Sequence, residues 1–301
     1  MMGAMTLPAP GRGAPTRAAA VLAGVLALGA CTGTPDPAPA PTPPSASATA
    51  PESGDAPSPT TDPAPVALAS GAVAFDVAVP GPAGEPGVDP LVQVEPADDG
   101  AAVLTVRPGV GPATLALTTP GTLTANPDGT VTVLDAAGTP VGGLSAPAVA
   151  DDGTGPADGS PTPRAVLAVT GPATAELVVR QDGEPSGSTD APASAPDASD
   201  DFPVTTTLGT TTVRSAVCGD REGGLSLAVD ATPWARTAGV AGSDVLWAQL
   251  VAAEPDADAP GMRDQLVCHA LGAPDKATWN LEPWRPDVGL VAVLAAHCNP
   301  S

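Results

Sequence analysis

Aromatic residues and lysine are scarce in this chain of 301 residues, and tyrosine is absent. Because aromatics make up only 2% of the residues, any core must be built mainly from Val, Leu and Ala, so we expect low stability per residue. Lys276 is the single lysine, and the formal net charge is −22. Nucleic-acid-binding proteins need clustered basic side chains that neutralise phosphates. The composition therefore excludes nucleic acid as a partner.

Proline and glycine are abundant, with 40 and 34 residues respectively. Such a composition lies at the edge of low complexity. Length alone would suggest two domains of ~150 residues each. We instead expect a multidomain chain with an all-β, sandwich-like middle domain, a small α+β C-terminal domain, and a disordered N-terminal stalk and linker.

Residues 1–30 have the pattern of an export signal. Two arginines precede an apolar run at 18–28, which is too short to span ~30 Å of hydrocarbon and is typical of a signal-peptide core. The sequence LGAC at 28–31 resembles the bacterial lipobox. That resemblance implies cleavage before Cys31, acylation of Cys31 and anchoring to the cell membrane on its extracytoplasmic face. The alternative is an ordinary secretory signal that ends near a cysteine.

Two segments are predicted to be disordered. Residues 31–65 contain Pro, Ala, Thr and Ser but no aliphatic side chain larger than Ala after the cysteine, so they cannot bury enough surface to offset the entropy of ordering. Their proline density favours extended polyproline II, and we interpret them as a stalk. Residues 182–204 have a similar composition and predict a linker between domains.

Residues 66–181 are predicted to form a β-rich domain. Short runs rich in Val, Leu and Thr alternate there with turn residues such as Gly, Pro, Asn and Asp. The runs are residues 73–79, 91–94, 103–106, 113–117, 131–134, 166–169 and 176–179. Strands at this spacing are typical of an antiparallel sandwich or small barrel. The acidic loop 151–164 has oxygen ligands that suit Ca²⁺ but lacks EF-hand spacing, so we interpret it as solvated.

Residues 205–301 hold all four Trp, both His, the one Lys and three of the four Cys. Side chains with a large body and a polar tip are therefore concentrated in this α+β domain. Local patterns predict strands at 210–218 and 225–229, and helices at 243–254, 260–270 and 287–297. Two prolines, Pro283 and Pro286, exclude a regular helix between the last two helices.

Three motifs resemble the actinobacterial family known as domain of unknown function 2599. They are MRDQLVCH at 262–269, WNLEPWRP at 279–286 and CNP at 298–300. The resemblance covers roughly residues 215–300. It implies an exported domain, often behind a lipoprotein signal, and it brings no reaction, ligand or catalytic residue.

Cys218, Cys268 and Cys298 remain once the first cysteine is assigned to lipid. Because an exported domain meets an oxidising compartment, a disulfide is the default. We pair Cys268 with Cys298, since each ends a predicted helix, and leave Cys218 as a buried thiol or a competing partner. A zinc site that combines the Cys-His pairs at 268–269 and 297–298 with Cys218 is the alternative. Adjacent ligands lack the usual spacing, so we expect no metal and no cofactor.

Six side chains in or near the Trp-rich segment are candidates for a binding site. They are His269, Lys276, Trp279, Glu282, Trp284 and Arg285. Indoles stack on sugar rings or cations, and a guanidinium holds carboxylate or phosphate in a fork. The structural alternative is that both indoles form a small core while Glu282, Arg285 and Lys276 pair with one another. His269 is more consistent with a structural role, because helical spacing places Gln265, not Asp264, beside it.

Two functions remain open. The first is a lipid-anchored exported protein whose C-terminal domain is a cell-envelope binding or structural module, with an envelope polymer or a protein as partner. The second is a cell-envelope hydrolase or transferase with its site around His269, Glu282 and Arg285. The sequence lacks a nucleophile elbow, a zinc-protease motif, a P-loop and a dinucleotide fingerprint, which favours the first.

Overall fold

The fold is known from a computed structural model. It describes residues 63–80, 91–107, 111–149, 163–181, 203–221 and 223–301. The described chain is mostly β-sheet, and its α-helices lie in the C-terminal part. Several predicted features lie outside the described residues. They are the signal peptide, the cysteine expected to carry lipid, the acidic loop as far as residue 162, nearly all of the stalk and most of the linker.

The described residues contain fifteen strands and four α-helices. The strands are β1 (Val66–Ser70), β2 (Val73–Ala78), β3 (Val92–Pro96), β4 (Ala102–Val106), β5 (Ala113–Leu117), β6 (Thr122–Ala125), β7 (Val131–Leu134), β8 (Pro140–Leu144), β9 (Ala148–Val149), β10 (Pro163–Gly171), β11 (Thr174–Gln181), β12 (Val204–Gly209), β13 (Val213–Arg221), β14 (Gly224–Ala231) and β15 (Trp279–Leu281). The helices are α1 (Pro233–Thr237), α2 (Gly239–Ala253), α3 (Met262–Gly272) and α4 (Leu290–Ala295). None of them is both long enough and apolar enough to cross a membrane.

The first two sheets share one hydrophobic core. The first has the order β1-β2-β5-β11-β10, and the second has the order β3-β4-β12-β8-β7-β6, with β9 paired to β12. Buried side chains from both sheets contact one another, and Phe75 and Leu177 of the first sheet lie in the same cluster as Leu104 and Leu208 of the second. This core is almost entirely aliphatic, as the low aromatic content requires.

All seven predicted runs lie largely in strands, and five further strands of the first two sheets, β1, β6, β8, β9 and β12, were not predicted. β8 has the sequence PVGGL, whose proline and glycines disfavour a strand. The tertiary structure explains why glycine occupies these positions. A Cβ at Gly142 would crowd Thr210, and one at Gly143 would crowd Ala241 of α2. β8 therefore depends on close packing that its own sequence does not reveal.

The third sheet, β13-β14-β15, belongs to the C-terminal part. Its register pairs Leu227 with Leu281 and Val229 with Trp279. These four side chains face a second core, which also contains residues of α1, α2 and α3. The predicted strand at 210–218 is shifted, since β13 begins at Val213 and runs to Arg221.

The first C-terminal helices pack against the second sheet and form hydrogen bonds with it or with the residues that directly follow β12. Residues 204 and 205, where linker and C-terminal domain were expected to meet, both lie in β12, between β4 and β8. The indole of Trp234 lies so close to Gly209 that a Cβ there would overlap it, and its Nε1 donates to the Thr207 carbonyl at 3.1 Å. On α2, Gln249 accepts from the backbone N–H and the hydroxyl of Thr212 at 3.1 and 2.7 Å.

The N-terminus of α2 is capped by a distant turn. Asp128, between β6 and β7, accepts from the backbone N–H of Val240 at 2.7 Å, and the hydroxyl of Thr130 accepts from Ala241 at 3.2 Å. Burial alone would raise the pKa of Asp128, but hydrogen bonds from Val240 and Thr130 outweigh it and lower the pKa below 3.8. The predicted helix start at Ser243 is therefore late, because the cap comes from another part of the chain.

Candidate functional site

Two side chains of α3 cover the free edge of β15. Gln265 donates to the carbonyl of Glu282 at 3.0 Å and accepts from its N–H at 2.9 Å, and His269 donates through Nε2 to the Asn280 carbonyl at 3.1 Å. Residues four apart lie on the same helix face, so one helix reaches two alternate residues of the strand edge. These contacts satisfy backbone groups that would otherwise be buried without partners.

The imidazole of His269 is held as a neutral group. Burial lowers its pKa below 6.5, the hydrogen bond to Asn280 opposes this shift, and the charge of Lys276 adds to it. Because a carbonyl accepts from Nε2, the proton lies on Nε2 and Nδ1 carries a lone pair. Nδ1 is buried and has no hydrogen-bond partner among the described residues. His269 thus serves as a clamp on the strand edge.

Trp279 is fully buried in the C-terminal core. Its Nε1 donates to the Ala273 carbonyl at 3.0 Å, its ring stacks with that of His269 at 6.5 Å between centroids, and the guanidinium of Arg236 lies 5.0 Å from its ring centre. Arg236 also fixes the loop before β15. It donates to the carbonyls of Ala231, Pro274, Lys276 and Ala277 and to the carboxylate of Asp230.

Arg236, in the sequence PWAR at 233–236, was not among the sequence candidates. Its three partners in the loop before β15 lie 38 to 41 residues further along the chain, so local spacing contained no signal for its role there. Lys276 takes part through its backbone carbonyl, and its side chain is exposed.

Glu282 and Arg285 form a buried ion pair. Their side chains are 2% and 7% exposed, and Nε of Arg285 donates to Oε2 of Glu282. A second nitrogen of Arg285 donates to the Pro300 carbonyl at 3.3 Å, which ties the chain terminus to the same place. Each of these buried charges needs the other as its counter-charge, because an unpaired charge in the protein interior strongly destabilises the fold. The structure thus has the Glu282–Arg285 contact that the structural alternative supposed.

Trp284 differs from Trp279 in being 46% exposed. It lies against Gly224, where a Cβ would overlap the indole, and the guanidinium of Arg285 lies 4.5 Å from its ring centre. The two indoles that sequence placed in one core or one site are therefore separated. Trp279 belongs to the core, and Trp284 presents an aromatic surface.

Three polar atoms on the third sheet have no hydrogen-bond partner among the described residues: the Ser226 hydroxyl, the Asn280 amide oxygen and Oε1 of Glu282. We call them the outer-face cluster. Leu227 pairs with Leu281 and Ala228 with Asn280, so continuing the register places Ser226 opposite Glu282. Because side chains alternate, the cluster lies on the face away from the C-terminal core. The sequence offered no signal for Ser226 beyond its position in a predicted strand.

Cys268 and Cys298 form a disulfide bond, with Cα atoms 5.5 Å apart. It joins α3 to the residues after α4 and lies buried beside Val293. Cys218 is a free, exposed thiol on β13, so neither alternative considered for it, burial or pairing, describes it. In the described part of the chain, no group of three His, Cys, Asp or Glu side chains is placed to hold a metal ion.

The C-terminal motifs, the disulfide and the Trp-rich segment all lie in one continuous stretch of the chain. Residues 213–301 match the family model described as "Protein of unknown function (DUF2599)". The resemblance inferred from the motifs is thereby confirmed. The matched region runs from β13 to the end of the chain and contains every candidate binding residue.

Part of the chain is similar to uncharacterized mycobacterial proteins. Uncharacterized proteins Rv0477 of Mycobacterium tuberculosis (strain H37Rv) and Mb0487 of Mycobacterium bovis are each 46% identical over 69 residues, covering 22% of this chain and 47% of theirs. Uncharacterized protein ML2452 of Mycobacterium leprae is 40% identical over 65 residues, covering 20% of this chain and 53% of its own. The chain thus spans about half the length of these relatives. No solved structure matches it.

Proposed function

We propose that this chain is an exported lipoprotein, anchored by acylated Cys31 on the outer side of the cell membrane, whose C-terminal domain binds a component of the cell envelope. In this proposal, residues 31–65 are a disordered stalk, and the linker predicted at 182–204 is disordered up to the start of β12 at Val204. They hold a β-rich domain (66–181) and the C-terminal domain (205–301) away from the membrane. The partner is an envelope polymer or another protein, and not a nucleic acid.

Export is supported by two independent features. The lipobox-like sequence LGAC follows an apolar run of signal-peptide length. A disulfide joins Cys268 to Cys298, and disulfides persist in oxidising compartments outside the cytoplasm. Closing a loop over a sequence separation of 30 also stabilises a small domain, by about 3–4 kcal/mol.

A binding role is favoured over catalysis because the fold uses most of the candidate residues. His269 clamps the edge of β15, Trp279 is buried, and Glu282 is paired with Arg285. A general base must lie within reach of a substrate proton, whereas these groups are enclosed and engaged. These three side chains therefore stabilise the fold that lies beneath the exposed surface of the domain.

The observation on which the proposal depends is the exposed indole of Trp284. Trp284 is 46% exposed, whereas the other three tryptophans are buried or half-buried. The stacked guanidinium of Arg285 holds it in place from one side, so the ring is ordered before any partner arrives. Exposed, pre-organised aromatic side chains are the usual anchors of binding sites.

Co-sedimentation of the whole exported chain with isolated cell envelopes tests the binding proposal. We expect saturable binding by the parent and its loss in Trp284→Ser. Val291→Ser is the matched control, because it removes an apolar side chain that is 82% exposed on α4. Equal binding by the two variants, or no saturable binding by the parent, would contradict the proposal.

The anchor has its own test. Cys31→Ser removes the thiol that receives the lipid but keeps the signal-peptide core. We expect the variant to move from the membrane fraction to the medium, whereas Cys218→Ser stays with the membrane. Retention of Cys31→Ser in the membrane fraction would overturn the lipoprotein assignment.

A further inference from the structure

Arg221 is the only arginine of the family-matched region without a carboxylate partner among the described residues. That region, residues 213–301, contains five arginines. The other four form ion pairs: Arg214 with Asp99, Arg236 with Asp230, Arg263 with Asp244, and Arg285 with Glu282. The side chain of Arg221 is exposed at the end of β13, and none of the described residues forms a hydrogen bond or ion pair with it. Its guanidinium is therefore available to an anion that arrives from solvent.

Arg221 lies next to the exposed indole of Trp284. It pairs with Gly224 across the hairpin, so its Cβ lies about 5 Å from the place where a Cβ of Gly224 would stand, on the same face of the sheet. The indole occupies that place, because a Cβ built there would overlap its Cδ1 and Nε1 atoms. The side chain of Arg221 extends along the same face, with its Nε 3.9 Å from the position that a Cβ of Gly219 would take. An exposed ring and an unpaired guanidinium therefore share one face of the hairpin.

The carboxylates described close to Arg221 do not cancel its charge. Glu282 lies on the same face of the sheet, but it is buried and already matched by Arg285. Asp220 comes just before Arg221 in the chain. Because side chains alternate along a strand, Asp220 lies on the opposite face. The unmatched positive charge of Arg221 indicates a negatively charged ligand.

The shape of this face indicates which kind of anion fits. Because Gly219 and Gly224 have no side chains, the guanidinium of Arg221 and the indole of Trp284 lie low on the sheet and together form a flat surface. Protein partners anchor themselves mainly through side chains that enter pockets. A sugar ring instead packs its C–H face flat against an indole, and a guanidinium binds carboxylate or phosphate through its fork of N–H groups.

We propose that Arg221 and Trp284 bind an acidic sugar residue of an envelope polysaccharide. The sugar ring packs on the exposed part of the indole, and its carboxylate or phosphate group accepts hydrogen bonds from the guanidinium of Arg221. Both side chains are exposed, so the ligand reaches them from solvent. Arg285, the sequence candidate for this contact, is buried and engaged, and Arg221 takes its place. The inference rests on the proposed function and specifies its ligand class.

The test titrates the whole exported chain with two acidic probes, oligogalacturonate for a carboxylate and glucose 6-phosphate for a phosphate. Their neutral controls are methyl-esterified oligogalacturonate and glucose, and calorimetry and tryptophan fluorescence follow binding. We expect one acidic probe to bind and its neutral control to bind at least about tenfold more weakly. Arg221→Gln should weaken binding of that acidic probe by about tenfold to a hundredfold at an unchanged melting temperature, because its side chain has no described partner. Arg164→Gln removes an exposed arginine of β10 and should bind like the parent.

The inference and the proposed function fail in different ways. If envelope sedimentation depends on Trp284 but Arg221→Gln sediments like the parent, or if neither acidic probe binds better than its neutral control, the acidic-sugar site is wrong and envelope binding stands. If polyglutamate displaces the chain from envelopes and neither acidic sugar does, the partner is a protein and the inference is wrong. If the parent neither sediments with envelopes nor binds an acidic probe, both are wrong. Sugar binding that Arg221→Gln weakens and Arg164→Gln does not is the supporting result.

Discussion

The imidazole of His269 donates to the backbone of β15 and is enclosed by Trp279 and the surrounding core. The hydrogen bond therefore requires a proton on Nε2. A second proton, on Nδ1, would make the buried imidazole cationic, and Nδ1 has no hydrogen-bond partner among the described residues. A histidine in this position makes the stability of the domain depend on pH near neutrality.

We expect the free energy of unfolding to decrease as the pH is lowered below 6.5. Burial holds the pKa of folded His269 below the ordinary value of 6.5, so in mild acid the unfolded chain takes up a proton that the folded protein does not. The contribution is fully present above pH 6.5 and is lost as the pH falls toward and through the folded pKa. Urea unfolding between pH 7.5 and 5 measures it.

Two controls separate His269 from its surroundings. His269→Gln keeps a donor and should flatten the dependence, whereas His297→Gln, at an exposed position, should leave it unchanged. Since the chain has only two histidines, proton NMR can follow the titration of His269. A folded pKa of His269 at or above 6.5 would contradict this account.

The pair Glu282–Arg285 makes a second prediction for single residues. Arg285→Gln leaves a buried carboxylate without its cation, and we expect a loss of about 3–5 kcal/mol in the free energy of unfolding. Arg263→Gln breaks the exposed contact of Arg263 with Asp244 and should cost under about 1 kcal/mol. Denaturant unfolding compares the two variants. If they lose the same small amount, the Glu282–Arg285 pair is not the buried support described above.

At the scale of elements, α2 depends on a turn more than 100 residues away in sequence. Asp128 and Thr130 supply the acceptors for its first N–H groups, and the helix begins at Gly239 with a left-handed φ of 53°. A helix N-terminus with a carboxylate nearby is favoured both by hydrogen bonding and by the helix dipole.

Asp128→Ala should lower the free energy of unfolding by about 0.5–2 kcal/mol. It should also speed amide hydrogen exchange at Val240 and Ala241. Asp135→Ala is the control, because that carboxylate bonds only within its own turn, to Ala137 and Thr139 at 2.8 Å each. The pKa of Asp128 is lowered, so its contribution is present above pH 3.8 and is lost as the pH falls through the folded pKa. Unchanged exchange at Val240 would contradict the cap.

Elements that follow from local pattern were predictable, and those that depend on distant partners were not. The seven β-branched runs became strands, and α3 lies within two residues of its predicted bounds. β15 was missed because prolines surround it, and it is held by Gln265 and His269 rather than by its own propensity. The contact of Glu282 with Arg285 was part of the structural alternative that the sequence left open, whereas the contacts of Arg236 and the position of Ser226 required the fold.

At the scale of the molecule, the C-terminal part is joined to the second sheet through the indole of Trp234 on Gly209 of β12, and through Asp128, between β6 and β7, with Val240. Fragments that cut through such contacts lose both packing and hydrogen bonds. The family match begins at residue 213, after β12, but the packing partners of that region lie earlier in the chain.

We therefore expect residues 205–301 alone not to fold. Their α2 would lack its cap, and β12, cut at its first residue, would lack β4 and β8. Near-ultraviolet circular dichroism of the oxidised fragment should show no fixed environment for its indoles, whereas the exported chain should melt with one cooperative transition. A fragment with a native-like spectrum and its own transition would show that the contacts with the second sheet are dispensable.

The central claim is that the two tryptophans of the Trp-rich segment have different roles: Trp279 stabilises the fold, and Trp284 binds the partner. The most direct measurement pairs thermal unfolding with envelope sedimentation for Trp279→Ala and Trp284→Ala in the whole exported chain. We predict that Trp279→Ala loses about 3–5 kcal/mol of stability, while Trp284→Ala melts near the parent and no longer sediments with envelopes. Undiminished sedimentation of a folded Trp284→Ala would contradict the account.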